Sequence, residues 1–350
     1  MRFSIVIPTY NRLATLRRAI DSAINQTLAA EVIVVDDASS DGTSAYVTGL
    51  IRSAREHGLS HSIAYHRLEN NLGHSAAMNA GTRLAKGDWI KPLDDDDYLA
   101  SNCIEEMAGA ISLHPAAVIC SCQAAQVDLG GSELGRTPLG GPGDAYFIPQ
   151  EDIHYGMLLD LVPFGTPVQV GFRRDVALES GGWDSAFDTN CDEVDFWIRV
   201  ARFGDAIFIN RCLAYRTIWS GSHNQRFRQH SRLETNYLMK TKIHALVSPR
   251  HRSRAPRLSD VGAYLNLHWA IVSLKDWAIR DSFAMARRGM LSASAWKLLV
   301  RAIRFRRQTW SDPFVRRVAL TLPSQEKLTG SADGVQAPGV AGSRSQLSSP

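Results

Sequence analysis

The chain has 350 residues, 45% of them apolar and 21% charged, with a net charge of +4 and an isoelectric point near 8.8. That composition supports one large domain or two ordinary ones around a sizeable core, and it excludes a disordered or fibrous chain. No apolar run reaches the roughly 18 residues of a membrane-spanning helix, and five cysteines with no Cys-x-x-Cys spacing (Cys103, Cys120, Cys122, Cys191 and Cys212) exclude a disulfide scaffold.

The expected setting is a reducing, cytoplasmic one, without structural disulfides and without a signal peptide ahead of the first strand. Phe3 to Pro8 is a short, β-branched apolar run that ends in a turn at Thr9-Tyr10-Asn11. Leu13, Leu16, Ile20, Ala23 and Ile24 share one side of a predicted helix over Leu13 to Thr27. Glu31 to Val35 reads as a second strand stopping at Asp36-Asp37, residues 43–57 as a helix, and Ser62 to Leu68 as a third strand. Ser75 to Ala85 reads as a helix rich in small residues, and Asp88 to Leu93 as a fourth strand. Strand and helix thus alternate three times, with strands apolar throughout. This predicts an α/β fold with a mostly parallel sheet covered on both faces.

The second part is less regular. A helix is expected over Ser101 to Leu113 and a strand over Ala117 to Cys122, whose two cysteines are read as facing opposite sides. Residues 129–144, rich in Gly and Pro, read as a long loop mobile over a site. A helix at 149–161, a strand at Val168 to Phe172 and a short helix at Asp175 to Ser180 follow. After the turn Gly181-Gly182-Trp183-Asp184 come a helix from Asp192 to Val200 and two last strands, Ala206 to Ile209 and Cys212 to Arg216. From about residue 228 the pattern is helical only. Residues from Ser324 onward are rich in Gly, Ser and Pro and are expected to be disordered.

In open α/β sheets ligands sit outside the carboxyl ends of the strands. Three such ends here carry polar clusters: Thr9-Tyr10-Asn11, Asp36-Asp37, and Asp94-Asp95-Asp96-Asp97. Four carboxylates in a row repel one another, and burial makes this worse. A divalent cation would relieve the strain, because hard cations take oxygen ligands. A bare Asp run is more often an acidic surface loop, but several polar strand ends on one sheet edge look like a site.

These residues resemble family 2 glycosyltransferases. The resemblance is carried by Ser4 to Arg12, by Val34 to Thr43, by Asn71-Leu72-Gly73 with Ala77, Asn79 and Gly81, by Leu93 to Leu99 as a D-x-D motif, and by Gly181 to Asp184 with Asp192 to Trp197. It covers roughly residues 3–225 and implies a GT-A fold, a nucleotide-sugar donor, probable use of UDP as the carrier, and inversion at the anomeric carbon. Catalytic residues 1–225 would divide into a nucleotide-binding half (1–100) and an acceptor half (101–225), followed by a helical extension (226–322) and a tail (323–350).

By the same resemblance Pro8, Thr9, Tyr10 and Arg12 would border the nucleotide, and Asp37 would accept a hydrogen bond from a uracil-type imide. Asp36 would brace its loop. Asp94 and Asp95 would lie along the ribose and diphosphate, Asp96 would bind Mn²⁺ or Mg²⁺, and Asp97 would brace the turn. Glu193 stands at the position of the general base, with Asp192 as its rival, because the family's Glu-Asp order is reversed here. Asp195 and Arg199 are expected to form a surface pair. Met78 replaces a common Arg. Trp219 lies where a His is often found, and His223 is a second candidate metal ligand, with a plain surface histidine as the alternative.

The leading expectation is an inverting, metal-dependent glycosyltransferase acting on a saccharide or lipid-linked acceptor in surface polysaccharide or glycolipid synthesis. A nucleotidyltransferase and an inactive nucleotide-sugar-binding scaffold are the alternatives. The first would need a Gly-rich basic loop where Pro8-Thr9-Tyr10-Asn11 stands, and the second is opposed by the retained acids. No nucleic-acid partner is expected; a homodimer is open. Residues 258–320 combine an apolar stripe (Val261, Tyr264, Leu265, Trp269, Trp277) with Arg280, Arg287, Arg288, Arg301, Arg304, Arg306, Arg307, Arg316 and Arg317. This predicts either packing on the catalytic part or peripheral contact with the cytoplasmic face of an inner membrane through residues 296–317.

Overall fold

A computed structural model describes residues 1–57, 63–138, 140–162, 164–188, 191–219, 229–275, 279–287, 289–306 and 312–322. The elements, in chain order, begin with β1 (Phe3–Thr9), α1 (Leu13–Ile24), β2 (Glu31–Asp36), α2 (Thr43–Glu56), β3 (Ile63–Arg67), α3 (His74–Leu84) and β4 (Trp89–Pro92). Then come β5 (Tyr98–Leu99), α4 (Cys103–Leu113), β6 (Ala117–Val127), β7 (Glu133–Arg136), β8 (Ala145–Ile148), α5 (Gln150–Leu158), β9 (Val170–Arg173), α6 (Arg174–Glu179), α7 (Asp192–Val200) and β10 (Asp205–Thr217). The last are α8 (Gln229–Ala245), α9 (Leu258–Lys275), α10 (Ile279–Ala286), α11 (Ala293–Arg306) and β11 (Val318–Leu320).

One sheet runs in the order β11-β8-β10-β6-β9-β4-β1-β2-β3, with β5 and β7 pairing β10 and β6 off that path. The β3-β2-β1-β4 portion is parallel throughout, as the strand–helix alternation predicts. β9 then pairs antiparallel with both β4 and β6, while β10 and β6 run parallel. The strands are apolar on consecutive residues because both faces are covered. Ile5 and Ile7 pack with Leu16 and Ile20 of α1 on one side, and Val6 packs with Ala77 and Met78 of α3 on the other. Met78, at the position of the family's Arg, is thus a core residue.

Several expectations change. β3 is a half-exposed edge strand, with Ala64, His66 and Arg67 open to solvent. Residues 129–144 are not loop throughout, since β7 within them folds back on β6 as a hairpin arm. The two expected last strands are one, β10, with an irregular register between Ile209 and Cys212. Cys120 and Cys122 share one core layer, because residues two apart on a strand face the same way. All five cysteines are free thiols.

The Asp195–Arg199 pair is not at the surface. Asp195 is fully buried and takes Arg199 Nε at 2.8 Å and Lys242 Nζ of α8 at 2.5 Å. Lys240, two residues earlier on α8, donates to the carbonyls of Met157 and Leu158 and to Asp160 Oδ1. Tyr264 of α9 donates to Asp160 Oδ2 at 2.6 Å. Val261, Tyr264 and Leu265 of the predicted stripe are buried in the main core cluster; Trp277 lies outside the described residues. The extension is not helical throughout either, because β11 adds an edge strand to the sheet. Arg316 is drawn onto Asp152 and Glu151, and Arg317 donates to the Leu161 carbonyl, so both leave the basic face expected of residues 296–317. The tail from residue 323 onward, expected to be disordered, lies outside the described residues.

α3 seats on the sheet through Gly81. A Cβ there would come within 2.3 Å of Val6 Cγ1 and 3.1 Å of Val35 Cγ2, both on buried strands. Gly81→Ala should lower stability by about 1–3 kcal/mol through overpacking, against the gain of at most about 1 kcal/mol that the change brings in a helix. Urea denaturation measures this, and an unchanged or raised midpoint would mean that α3 does not sit this close.

Candidate active site

The ends of β1, β2 and β4 meet at one edge because their strands are parallel. The first two loops are stitched together. Asn11, in a left-handed conformation (φ 52°), takes the Ser40 N–H on its Oδ1 and donates its own N–H to Ser39 Oγ. Asp41 Oδ2 accepts the Leu13 N–H at 2.8 Å. Asp36 is wholly internal and accepts from Ser39 N–H, Tyr65 Oη and Arg67 Nη1 at 2.5–2.8 Å. Burial alone would raise its pKa, but the hydrogen bonds from Ser39 and Tyr65 outweigh that and hold it below the usual value. It braces the loop, as expected.

Asp37 also has structural work. Its Oδ1 accepts the Leu72 N–H at 2.7 Å and its Oδ2 the Gly73 N–H at 2.8 Å, which clamps the turn before α3. Pro8 and Thr9 are buried within the end of β1, whereas Tyr10 is 46% exposed at the edge.

The aspartate run splits by direction. Asp97 turns inward and accepts the Thr217 N–H at 2.8 Å, bracing the turn. Arg12 Nη1 lies between Asp95 Oδ1 (3.2 Å) and Asp96 Oδ2 (2.9 Å). Trp219 Nε1 donates to the same Asp96 oxygen at 3.0 Å, so a tryptophan touches the D-x-D where a histidine was sought; His223 lies outside the described residues. Burial raises the pKa of Asp95 to about 7 in spite of Arg12. Asp96 is raised by burial and by Asp94, and Asp97 well above the usual range by burial and by both neighbours. Acids held this high are acids short of positive charge, which fits a divalent cation. No group of three potential ligands exists among the described residues. The protein would therefore supply one or two carboxylates and leave other positions to phosphate and water, the usual habit of Mg²⁺.

The acceptor-side acids arrive on α7, which follows Cys191 in a left-handed conformation (φ 71°). Ahead of it, Gly182 (φ 72°) leaves room for Asn79, whose amide both accepts the Trp183 N–H and donates to the Trp183 carbonyl at 2.8 Å. Arg199 Nη1 binds the carbonyls of Ser180 and Gly182. Asn79 and Arg199 thus fix α3, the glycine turn and α7 relative to one another.

Between the two halves stands His74, the first residue of α3. Its Nδ1 is 2.7 Å from Asp192 Oδ2 and its Nε2 is 3.3 Å from Asp94 Oδ1. Burial would lower its pKa, but the hydrogen bond to Asp192 and the charges of Asp192 and Asp94 raise it well above the ordinary value; Nε2 makes only an ion-pair contact with Asp94 and has no aligned hydrogen bond. The sequence reading passed His74 over. Its adjacency to Asn71-Leu72-Gly73 was visible, but a partner 118 residues away was not. Asp192, bonded to His74, is held below the usual range although burial opposes this. Glu193 is pushed up to about 8 by burial and by the Asp192 charge. The adjacent acids are thereby made unequal, with Asp192 an ion and Glu193 a weak acid able to exchange a proton near neutrality.

Residues 4–181 match the model of the family described as Glycosyl transferase family 2. An uncharacterized glycosyltransferase, YwdF, of Bacillus subtilis (strain 168) is 34% identical over 207 residues, which is 58% of this chain and 69% of that protein. Chondroitin synthase of Escherichia coli is 36% identical over 103 residues, 29% of this chain but 14% of that longer protein. Among solved structures, S. aureus TarS 1–349 in complex with UDP superposes with a TM-score of 0.54 at 17% identity, covering 88% of this chain and 90% of that one. The mannosyltransferase PcManGT from Pyrobaculum calidifontis, in complex with GDP-Man and Mn²⁺, gives 0.51 at 19% identity, covering 88% and 83%. The structural likenesses speak for the GT-A fold, and the sequence match takes in the polar ends of β1, β2 and β4 together with the start of the glycine turn: the chain is a glycosyltransferase and belongs to glycosyl transferase family 2.

Proposed function

We propose that this glycosyltransferase moves a sugar, with inversion, from a nucleoside-diphosphate sugar, best a UDP-sugar, to a saccharide or lipid-linked acceptor in surface polysaccharide or glycolipid synthesis. The observation that carries the reading is the meeting of the D-x-D acids with the paired acids of α7, joined by His74. The UDP of the TarS structure and the GDP-Man and Mn²⁺ of PcManGT are ligands of those proteins and agree with it.

Asp96, with Asp94 beside it, would hold Mn²⁺ or Mg²⁺, whose chemistry is to neutralise charge on the departing diphosphate. Arg12, already against Asp95 and Asp96, places a fixed positive charge at the same edge. Tyr10 offers an exposed ring for the base, and Asp37 would meet a uracil imide with the lone pairs that the Leu72 and Gly73 amides leave. Glu193 takes the proton of the acceptor hydroxyl as its oxygen bonds to the anomeric carbon. The bond from that carbon to the phosphate oxygen breaks on the opposite face, and its electron pair leaves with the diphosphate. Asp192 is the poorer base because its carboxylate is committed to His74.

The C-terminal helices suit contact with an anionic lipid surface. On α11, Ala295, Leu299 and Ala302 face the protein, while Trp296, Val300 and Ile303 repeat at the same helical spacing on the outside, beside Lys297, Arg301 and Arg304. Phe283 of α10 is 69% exposed and Leu291 95%. None of the described helices is long and apolar enough to cross a membrane. A symmetric contact with a second copy would set this basic face against itself, at a cost in like-charge repulsion. Arg288 and Arg307 lie outside the described residues.

Asp96→Ala should abolish transfer while the fold survives, as read by sugar transfer and circular dichroism; near-normal transfer would remove Asp96 as the metal ligand. Glu193→Gln should lower kcat by about two to four powers of ten and leave UDP binding intact. Because the base must be unprotonated, kcat/KM of the native enzyme should rise with pH up to about 8, and this limb should vanish in the variant. If Asp192→Asn were inactive and Glu193→Gln active, the base would be Asp192. Sedimentation with vesicles should show binding to anionic but not neutral lipid, weakening as salt rises; equal binding to both, or to neither, would leave α10 and α11 without a membrane role.

A further inference from the structure

The base is one of two adjacent acids on the first turn of a helix, and nothing in that placement alone distinguishes them. Neighbouring carboxylates disfavour each other's charge, so by themselves they would titrate as a coupled pair. A side chain from a different part of the chain breaks the symmetry. The His74 ring lies edge-on to Trp183, with centroids 5.5 Å apart and planes at 88°. Its orientation is fixed further by the clamped turn before it, where Asp37 holds Leu72 and Gly73, and by Asp188 Oδ1, which accepts the Ser75 N–H just after it. So oriented, it bonds Asp192 rather than Glu193.

We propose that His74 is a positioning residue that assigns the base: it commits the Asp192 carboxylate, leaves Glu193 as the proton acceptor, and, through its second nitrogen on Asp94, sets the acceptor-side acids relative to the donor side. This rests on the reading of Glu193 as the base. His74 itself takes no proton from the acceptor; it acts through the carboxylate that it holds. The same ring therefore stands between α7, which it holds by a hydrogen bond, and the D-x-D run, which it meets as an ion pair.

The decisive measurement is a double-mutant cycle on sugar transfer by the full chain. His74→Phe keeps an aromatic ring against Trp183 but cannot donate a hydrogen bond, so the fold should survive by circular dichroism while the melting temperature falls, because buried Asp192 loses a partner; kcat is therefore read at a temperature where the variant is folded. Its kcat should fall by about 100-fold, the scale of a misplaced catalytic group, with little change in the dissociation constant of UDP in the presence of Mn²⁺. His74→Gln, which can still donate to Asp192, should recover part of the loss. Added to Glu193→Gln, His74→Phe should cost almost nothing more, because its effect passes through the base that is already missing. Multiplying losses in the double variant, a native kcat in His74→Phe, or a defect confined to UDP affinity would each overturn the proposal. If Glu193→Gln alone retained full activity, it would be the reading of Glu193 as base that had failed.

Discussion

Crowded negative charge at the end of β4 is the constraint that the surrounding structure answers. Four consecutive acids just beyond a strand whose four residues are buried cannot all face water, and each is disposed of differently. Asp97 is turned inward onto a backbone N–H, Asp95 and Asp96 share Arg12, and Asp94 reaches His74. The cations that serve the run come from separate elements, Arg12 from the loop after β1 and His74 from the start of α3. The remaining shortage of positive charge is what a divalent cation would answer. The same economy then passes through His74 to α7, so the electrostatics of the D-x-D run and of the paired acids of α7 form one system.

Much of the fold could be read from residue order. The strands and helices of the β3-β2-β1-β4 portion, and its parallel sense, follow from apolar runs of strand length alternating with helical spacing, because both patterns are local; the strand order does not. The bracing roles of Asp36 and Asp97 came from the family resemblance instead, since Asp97's partner Thr217 is 120 residues away. What sequence hides is pairing over distance. β8 and β11 are short strands whose identity comes only from the neighbours that they meet, and β7 lies in a Gly/Pro-rich stretch that turn chemistry alone would leave as a loop. Asp195 was misjudged because i,i+4 spacing describes a helix face and not what covers it. His74 was missed because a single histidine after a glycine turn carries no signal until its partners, 20 and 118 residues away, are in place.

The family match ends at residue 181, ahead of the helix that carries Glu193. The edge proposed for the donor is built from short-range strand–turn units, which recur recognisably. The side proposed for the acceptor is assembled from one glycine turn, one short helix and whatever packs behind them. This difference in construction is also why the donor class is easier to argue here than the acceptor.

Lys242 gives the C-terminal extension a part in this assembly. It supplies the second cation to a fully buried carboxylate two residues beyond Glu193, and a buried charge stripped of one partner is strongly destabilising. A chain trimmed to the stretch that carries the recognisable motifs would keep every named acid and still lose part of the footing of α7. The unit that can be recognised and the unit that can stand alone are therefore different lengths of this polypeptide, and a minimal catalytic fragment has to be cut on the far side of α8.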